Sequence, residues 1–167
     1  KLEKGVAVSF EMPRIEPLFY SQEDYNEFCE RHSKAIVKKC NISEYNGNCY
    51  LGIDAGSTTT KLVVIGEDGE LLYNFYANNQ GNPILTAQHA IEELKGKISD
   101  SAKIVRSCST GYGEALLMSA FSLDEGVVET IAHCTAASFF NPNVDCVLDI
   151  GGQDMKCIKL KNGAVDN

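Results

Sequence analysis

Two short stretches of the chain contain an acid, a glycine and a lysine at the same spacing. Residues 54–61 read DAGSTTTK and residues 149–156 read DIGGQDMK, so a shift of 95 residues aligns Asp54 with Asp149. Glycine lets the backbone approach a ligand closely, and successive N–H groups in such a bend form a nest for anions. A carboxylate beside an anion nest implies a cation between them, and Mg²⁺ favours oxygen ligands and bridges phosphates. The two stretches therefore predict paired phosphate-binding loops that share a magnesium ion.

The candidate site residues come from these two stretches. Asp54 and Asp149 are the predicted catalytic residues and magnesium ligands, which act through water molecules bound to the ion. The predicted phosphate-binding residues are Gly56, Ser57, Thr58, Thr59 and Lys61 in the first stretch and Gly151, Gly152 and Gln153 in the second. The other interpretation is two ordinary hairpins with turn glycines and acids, in which Lys61 and Lys156 face solvent. Two copies in register favour the site, because a fixed-period repeat indicates duplicated architecture.

Each stretch is predicted to lie at the bend of a β-hairpin. The pairs Asp68-Gly69 and Asn162-Gly163 follow the two stretches, and such pairs between apolar runs are strong hairpin signals. Three antiparallel strands are expected in the first half of the chain, at residues 50–54, 61–65 and 70–77.

Helices and a further strand follow the first hairpin. Asn82 and Pro83 are expected to cap and begin a helix, because these residue types are favoured at the cap and first helical positions. Residues 103–107 are predicted as a strand, and residues 127–139 as a helix that ends before Asn141-Pro142. The fold class is α/β, with a mixed sheet in which three antiparallel strands precede helix–strand units.

The same motifs show a resemblance to a known family. The two stretches resemble the phosphate loops of the actin-like ATPase superfamily, which also contains sugar kinases. The motif DIGGQD at residues 149–154 and the motif STGYG at residues 109–113 are similar to those of the activases of 2-hydroxyacyl-CoA dehydratases. Those activases belong to the BadF/BadG/BcrA/BcrD ATPase family. The resemblance runs from about Cys49 to Asn167.

The resemblance implies a fold, cofactors and partners. It implies an actin-like (ribonuclease H-like) ATPase lobe that binds ATP with Mg²⁺, activates a CoA-thioester dehydratase and forms a homodimer in the intact protein. Two alternatives stay open: a small-molecule kinase of the same superfamily, acting on a sugar or an acid, and a non-catalytic regulatory half-domain. The motifs at residues 110–113 and 153–154 favour the activator over the kinase.

The domain organisation is expected to be that of an excised fragment that is inactive alone. Residues 1–48, with Pro13 and Pro17, are predicted as a connector or an N-terminal extension containing one helix at about residues 21–38. Residues 49–146 are predicted to form lobe one of the ATPase. Residues 147–167 are predicted to form the first hairpin of a truncated lobe two.

The helix at residues 127–139 contains further candidates. Glu129 is predicted to orient an attacking water, and the alternative is an acid that stabilises the first helical turn. His133 matches a histidine of the activase pattern and is interpreted as a satisfied interface residue. The resemblance also implies a [4Fe–4S] cluster between two subunits, but the family's ligand position is Ala132 here. Cys134 is the remaining candidate iron–sulfur ligand on this helix, but it lies two residues later, about 200° around the helix axis, and is expected to face elsewhere.

Another loop and the cysteines lead to two further expectations. The loop at residues 110–113 is expected to have Tyr112 packed beneath it, the alternative being a loop that faces phosphate. The seven cysteines contain no Cys-x-x-Cys pair, which predicts reduced thiols in a cytoplasmic protein. Most of these cysteines are expected to be small core residues.

Overall composition excludes two classes of partner. The net charge of −8 argues against a nucleic-acid surface. No apolar run approaches the roughly 20 residues that a membrane-spanning helix needs, and no signal-peptide pattern opens the sequence.

Overall fold

The computed structural model describes residues 15–161 and 163–166, and it divides the chain into two compact units, residues 1–36 and 37–167. The first unit contains helix α1 (Gln22–Ser33). The Ser21 hydroxyl accepts a hydrogen bond from the Asp24 N–H, while the Asp24 carboxylate accepts one from the Ser21 N–H, which is a capping box. Pro13 lies outside the described residues.

The helix predicted at residues 21–38 is shorter than expected. Lys34 forms a turn after Ser33, and two hydrogen bonds join the following segment to Leu71. The Leu71 N–H donates to the Lys38 carbonyl over 2.9 Å, and the Cys40 N–H donates to the Leu71 carbonyl over 3.1 Å. Residues 38–40 belong to the second unit and pair with Leu71 of that unit, which removes them from the helix.

The second unit contains a mixed sheet of five strands and a sheet of three. The five strands are β1 (Gly47–Ala55), β2 (Thr59–Gly66), β3 (Leu71–Asn78), β4 (Ala102–Thr110) and β5 (Glu125–Gly126), in the order β3-β2-β1-β4-β5. Strands β1, β2 and β3 pair antiparallel, whereas β4 pairs parallel with both β1 and β5. The predicted α/β class and mixed sheet are confirmed.

The remaining elements of this unit are three helices and the smaller sheet. The helices are α2 (Pro83–Lys95), α3 (Glu114–Phe121) and α4 (Glu129–Phe140). Asn82 caps α2 as predicted, because its side chain accepts a hydrogen bond from the Leu85 N–H over 3.2 Å. The antiparallel sheet contains β6 (Cys146–Ile150), β7 (Met155–Lys161) and β8 (Ala164–Asp166). The lobe boundary near residue 146 stays a prediction.

The main core lies between helix α2 and one face of the five-stranded sheet. Alternate residues of β1 and β2 point into it, among them the fully buried Ile53 and Leu62. Helix α2 covers them with Ala87, Ala90 and Leu94. Because side chains alternate between the faces of a strand, Asp54 lies on the opposite face from this core.

The prediction that most cysteines lie in the core is wrong. Cys49 and Cys134 are buried, whereas Cys29, Cys40, Cys146 and Cys157 are exposed. Cys146 and Cys157 occupy the positions that Leu51 and Leu62 hold in the first hairpin. Helix α2 covers the two leucines. The corresponding face of the second hairpin is open among the described residues, since Leu148, Ile150 and Met155 are 71%, 74% and 78% exposed.

No helix in the described part of the chain combines the length and the apolar character needed to cross a lipid bilayer.

The sheet that supports Asp54 should depend strongly on Leu62. Leu62→Ala should lower the free energy of unfolding by about 3 kcal/mol, because it removes buried methyl groups and leaves a cavity. Val63→Ala is the matched control on the same strand, where the side chain is 38% exposed, and it should cost less than about 1 kcal/mol. Urea denaturation of both variants measures the difference, and equal losses would contradict the described core.

Candidate functional site

The two predicted hairpins are built alike. Asp54 pairs with Lys61 across β1 and β2, and Asp149 pairs with Lys156 across β6 and β7. The loop between each pair of strands is closed by one hydrogen bond of 2.9 Å, from the N–H of its first residue to the carbonyl of its fourth. These bonds run from Gly56 to Thr59 in loop one (residues 56–59) and from Gly151 to Asp154 in loop two (residues 151–154). The sequence repeat is therefore also a repeat of backbone structure.

Both turns that follow the hairpins contain a glycine with a positive φ. Gly69 has a φ of +76°, as the Asp68-Gly69 turn requires, and Gly163 has the same φ of +76°. Asn162 lies outside the described residues.

At the base of loop one, Asp54 has two different oxygen environments. Its Oδ2 accepts a hydrogen bond from Lys61 Nζ over 2.9 Å. Its Oδ1 is buried and has no hydrogen-bond donor among the described residues. A buried carboxylate oxygen without a partner is costly, so this atom is suited to a cation or its bound water.

The loop after β4 also contacts Asp54. Gly111 has a φ of +85°, and a Cβ atom there would lie 2.5 Å from Asp54 Oδ1 and 2.8 Å from the Ala55 carbonyl. Only glycine satisfies both constraints. The expectation that Tyr112 packs beneath this loop is wrong, since Tyr112 is 92% exposed and glycine makes the close contact instead.

At the base of loop two, the corresponding acid and lysine pair with helix α4. Asp149 Oδ2 lies 3.1 Å from His133 Nδ1, while Lys156 Nζ lies 3.1 Å from Glu129 Oε2 and 3.3 Å from Asp154 Oδ2. The hydrogen bonds to Glu129 and Asp154 raise the pKa of Lys156 above its ordinary value of 10.5. The aspartate–lysine ion pair of the first hairpin is thus replaced by two pairs that attach α4 to the second hairpin.

Helix α4 and loop two together form a group of potential metal ligands. One ligand atom each from Glu129, His133 and Asp149 lie within 4.8 Å of one another, and all three side chains are partly buried. Carboxylates and imidazole are both metal ligands in proteins. The sequence predicted Glu129 and Asp149 as site residues, and the structure brings them together. It also brings His133 to Asp149, and this contact fits the interpretation of His133 as an interface residue with a hydrogen-bonding partner.

Loops one and two approach each other. A Cβ atom on Gly152 would lie 2.8 Å from Thr58 Oγ1, so the glycine allows the two loops to touch. Ser57 and Thr58 in loop one and residues 151–153 in loop two are exposed, while Gly56, Thr59 and Lys61 are half-buried. Most of the predicted phosphate-binding residues are therefore accessible to a ligand.

One candidate residue of the sequence is packed in a core, and one residue that contacts loop one was missed. Cys134 is 5% exposed and lies in a small core with Ile158 and Leu160, so its thiol faces β7. Asn79 was missed, although it is 3% exposed and hydrogen-bonded to loop one. The only available signal was the pair Asn78-Asn79, which reads as ordinary turn residues at the end of a strand.

The Lys156 ion pairs should make stability depend on pH in the alkaline range. Because the folded pKa of Lys156 is raised, its contribution is fully present below the ordinary value of 10.5 and is lost as pH rises through the folded pKa. The free energy of unfolding should fall more steeply for the wild type than for Lys156→Met above about pH 10. Urea denaturation at pH 8 to 11 measures this, with Lys159→Met, an exposed lysine on β7, as the control. Parallel curves for wild type and Lys156→Met would contradict the described pairs.

Comparison with known proteins agrees with this architecture. An (R)-2-hydroxyglutaryl-CoA dehydratase activating ATPase of Acidaminococcus fermentans is 33% identical over 120 residues, which cover 70% of this chain and 44% of that protein. The crystal structure of component A of the (R)-2-hydroxyglutaryl-CoA dehydratase from the same organism superposes with a TM-score of 0.62 at 32% identity, over 72% of this chain and 46% of the other.

A second solved structure is the activator of the 2-hydroxyisocaproyl-CoA dehydratase from Clostridium difficile with bound ADPNP. Its TM-score is 0.61 at 29% identity, over 71% of this chain and 44% of that chain. The chain thus spans less than half the length of these relatives, and it has the fold of the actin-like ATPases and sugar kinases. Residues 51–167, a range that includes loops one and two, match the family model described as the BadF/BadG/BcrA/BcrD ATPase family. The chain therefore belongs to the BadF/BadG/BcrA/BcrD ATPase family.

Proposed function

We propose that this chain supplies phosphate-binding loops of an ATPase that activates a 2-hydroxyacyl-CoA dehydratase. The observation that supports it is the pair of loops with the same backbone closure, which touch at Gly152 and Thr58. The relatives whose names describe this activity are more than twice as long as the matched region, so the activity is a proposal for this chain.

The loops would hold the phosphate groups of ATP. Backbone N–H groups in tight glycine-containing bends bind anions, and the exposed hydroxyls of Ser57 and Thr58 add donors. Lys61 Nζ lies at the base of loop one, where it balances the charge of Asp54. Positioning and electrostatic stabilisation are the main requirements of phosphoryl transfer.

The residues present fit a magnesium ion. Asp54 has a buried oxygen without a donor among the described residues, and Asp149 and Glu129 offer carboxylate oxygens within 4.8 Å of each other, the ligand type that Mg²⁺ prefers. Asp54 and Asp149 would hold the ion through its water molecules. When bound, Mg²⁺ neutralises phosphate charge. Lys156 holds Glu129 beside Asp149, and from there Glu129 would orient the attacking water.

The described residues do not fit an iron–sulfur cluster. A [4Fe–4S] cluster is held by four thiolates. Helix α4 offers Cys134, whose side chain is 5% exposed and packed against Ile158 and Leu160 rather than facing outwards. No step of the proposed function therefore involves a cluster.

The other interpretations have less support. No observation of its own favours a sugar or acid kinase, whereas the poor fit to an iron–sulfur cluster favours a non-catalytic half-domain over the activator. A kinase would bind its sugar or acid substrate in addition to Mg-ATP, whereas a regulatory half-domain would bind no Mg-ATP at these loops. A dehydratase partner, a homodimer and a cytoplasmic setting belong to the proposal for the activator.

Binding of Mg-ATP to this chain should be weak and localised. Because the proposed contacts involve the phosphates alone, we expect a dissociation constant of about 1 mM, or roughly −4 kcal/mol. In ¹⁵N NMR titrations, the amides of loops one and two should shift together. Asp54→Asn and Asp149→Asn should each weaken binding about tenfold, since each removes a charge that holds the ion.

The matched control is Asp68→Asn, which removes an acid at the other end of the first hairpin. Asp68 is exposed, with 81% of its side chain accessible, and should leave the affinity unchanged. The proposal would be contradicted if Asp54→Asn bound Mg-ATP as the wild type does, or if Asp68→Asn weakened binding equally.

A further inference from the structure

Asn79 lies directly after β3 and contacts three residues in and next to loop one. Its side-chain Nδ2 donates to the Gly56 carbonyl over 2.8 Å, and its backbone N–H donates to the Thr58 carbonyl over 2.9 Å. Its Oδ1 accepts a hydrogen bond from Thr60 Oγ1 over 2.6 Å. Asn79 is 3% exposed and Thr60 is fully buried, so these bonds are shielded from competing water.

The Gly56 carbonyl determines which way the Asn79 amide faces, because a carbonyl can only accept, whereas the Thr60 hydroxyl can donate or accept. Amide oxygen and nitrogen differ in their roles, because the oxygen accepts and the NH₂ group donates. With the NH₂ group facing the Gly56 carbonyl, Oδ1 is left to accept from the Thr60 hydroxyl. The side chain therefore satisfies both neighbours in one orientation only.

The anchored carbonyls fix the direction of two N–H groups in loop one. In a trans peptide the C=O and N–H bonds point in opposite directions. The Gly56 carbonyl shares its peptide with the Ser57 N–H, and the Thr58 carbonyl shares its peptide with the Thr59 N–H. Since Asn79 holds both carbonyls on its own side, both N–H groups point away from it.

We propose that Asn79 is a positioning residue that holds loop one in the form that accepts phosphate. The inference rests on the proposed function, because it assigns the anion to the N–H groups of this loop. Asn79 does not touch the ligand. It sets the peptide orientations before binding, so that less of the binding free energy is spent on ordering the loop.

A pair of amide-to-acid variants tests this role. Asn79→Asp keeps an oxygen for the Thr60 hydroxyl but replaces the NH₂ donor by an oxygen that faces the Gly56 carbonyl. Asn78→Asp adds the same charge one residue earlier, at an exposed side chain whose Oδ1 accepts from the Gln80 N–H. In NMR titrations, Mg-ATP affinity should fall about tenfold in Asn79→Asp and less than about twofold in Asn78→Asp.

Two further measurements separate positioning from general destabilisation. Leu94→Ala removes a core side chain of α2, and it should lower stability while leaving the Mg-ATP affinity unchanged. Without nucleotide, hydrogen exchange at the Gly56 N–H should become faster in Asn79→Asp than in Asn78→Asp, because the loop closure is loosened.

The outcomes distinguish the inference from the proposed function. If the wild type shows no Mg-ATP shifts at loop one, the proposed function fails, and the inference fails with it. If the wild type binds there and Asn79→Asp binds equally well, the inference alone is overturned. It is also overturned if Leu94→Ala weakens binding as much as Asn79→Asp does.

Discussion

The hydrogen bond from a glycine N–H to the carbonyl of the fourth loop residue determines the geometry at the bend of both hairpins. It closes residues 56–59 and residues 151–154 over the same 2.9 Å. With the loop length set in this way, the aspartate one residue before the end of each first strand lies opposite the lysine of the next strand. Exposed loop residues and charged groups therefore occupy corresponding positions in two separate sheets. The site depends on this register, since a slip of one residue would move each aspartate to the other face of its sheet.

Helix α4 relates the two hairpins to each other. Its first turns pair with the second hairpin through Glu129 and His133, and Cys134 packs beneath β7. Near its end, Phe139 lies against the Asp68-Gly69 turn between β2 and β3, where a Cβ atom on Gly69 would be 2.6 Å from the phenylalanine ring. One helix thus contacts the second hairpin at the proposed site and the first hairpin at the end away from loop one.

Much of the fold was predictable because the signals are local. Apolar runs beside turn signals identify β1 and β2, the Asn82-Pro83 pair identifies the start of α2, and the 95-residue repeat identifies the related loops. The repeat also predicted that Asp54 and Asp149 lie at equivalent positions. Each of these signals is read within a short stretch of sequence, and the repeat compares two such stretches.

The remaining features depend on contacts between distant residues. Asn79 reaches back to Gly56 across 23 positions, and nothing in its immediate neighbours indicates that contact. Tyr112 was expected beneath its loop, but the space there is filled by the close approach of Gly111 to Asp54. Cys146 and Cys157 have the apolar pattern of core residues, yet the face of the sheet on which they lie is open in the described part of the chain.

If one metal–phosphate group serves both loops, paramagnetic broadening by Mn-ATP will reach both of them. With ¹⁵N-labelled chain and substoichiometric Mn-ATP, the amide signals of residues 56–59 and 151–154 should broaden together, and those of the Asp68-Gly69 turn should stay sharp. Asp54→Asn should reduce the broadening at both loops, although it lies in one hairpin only. Broadening confined to one loop, or loss confined to loop one in Asp54→Asn, would contradict a metal–phosphate group shared by both loops.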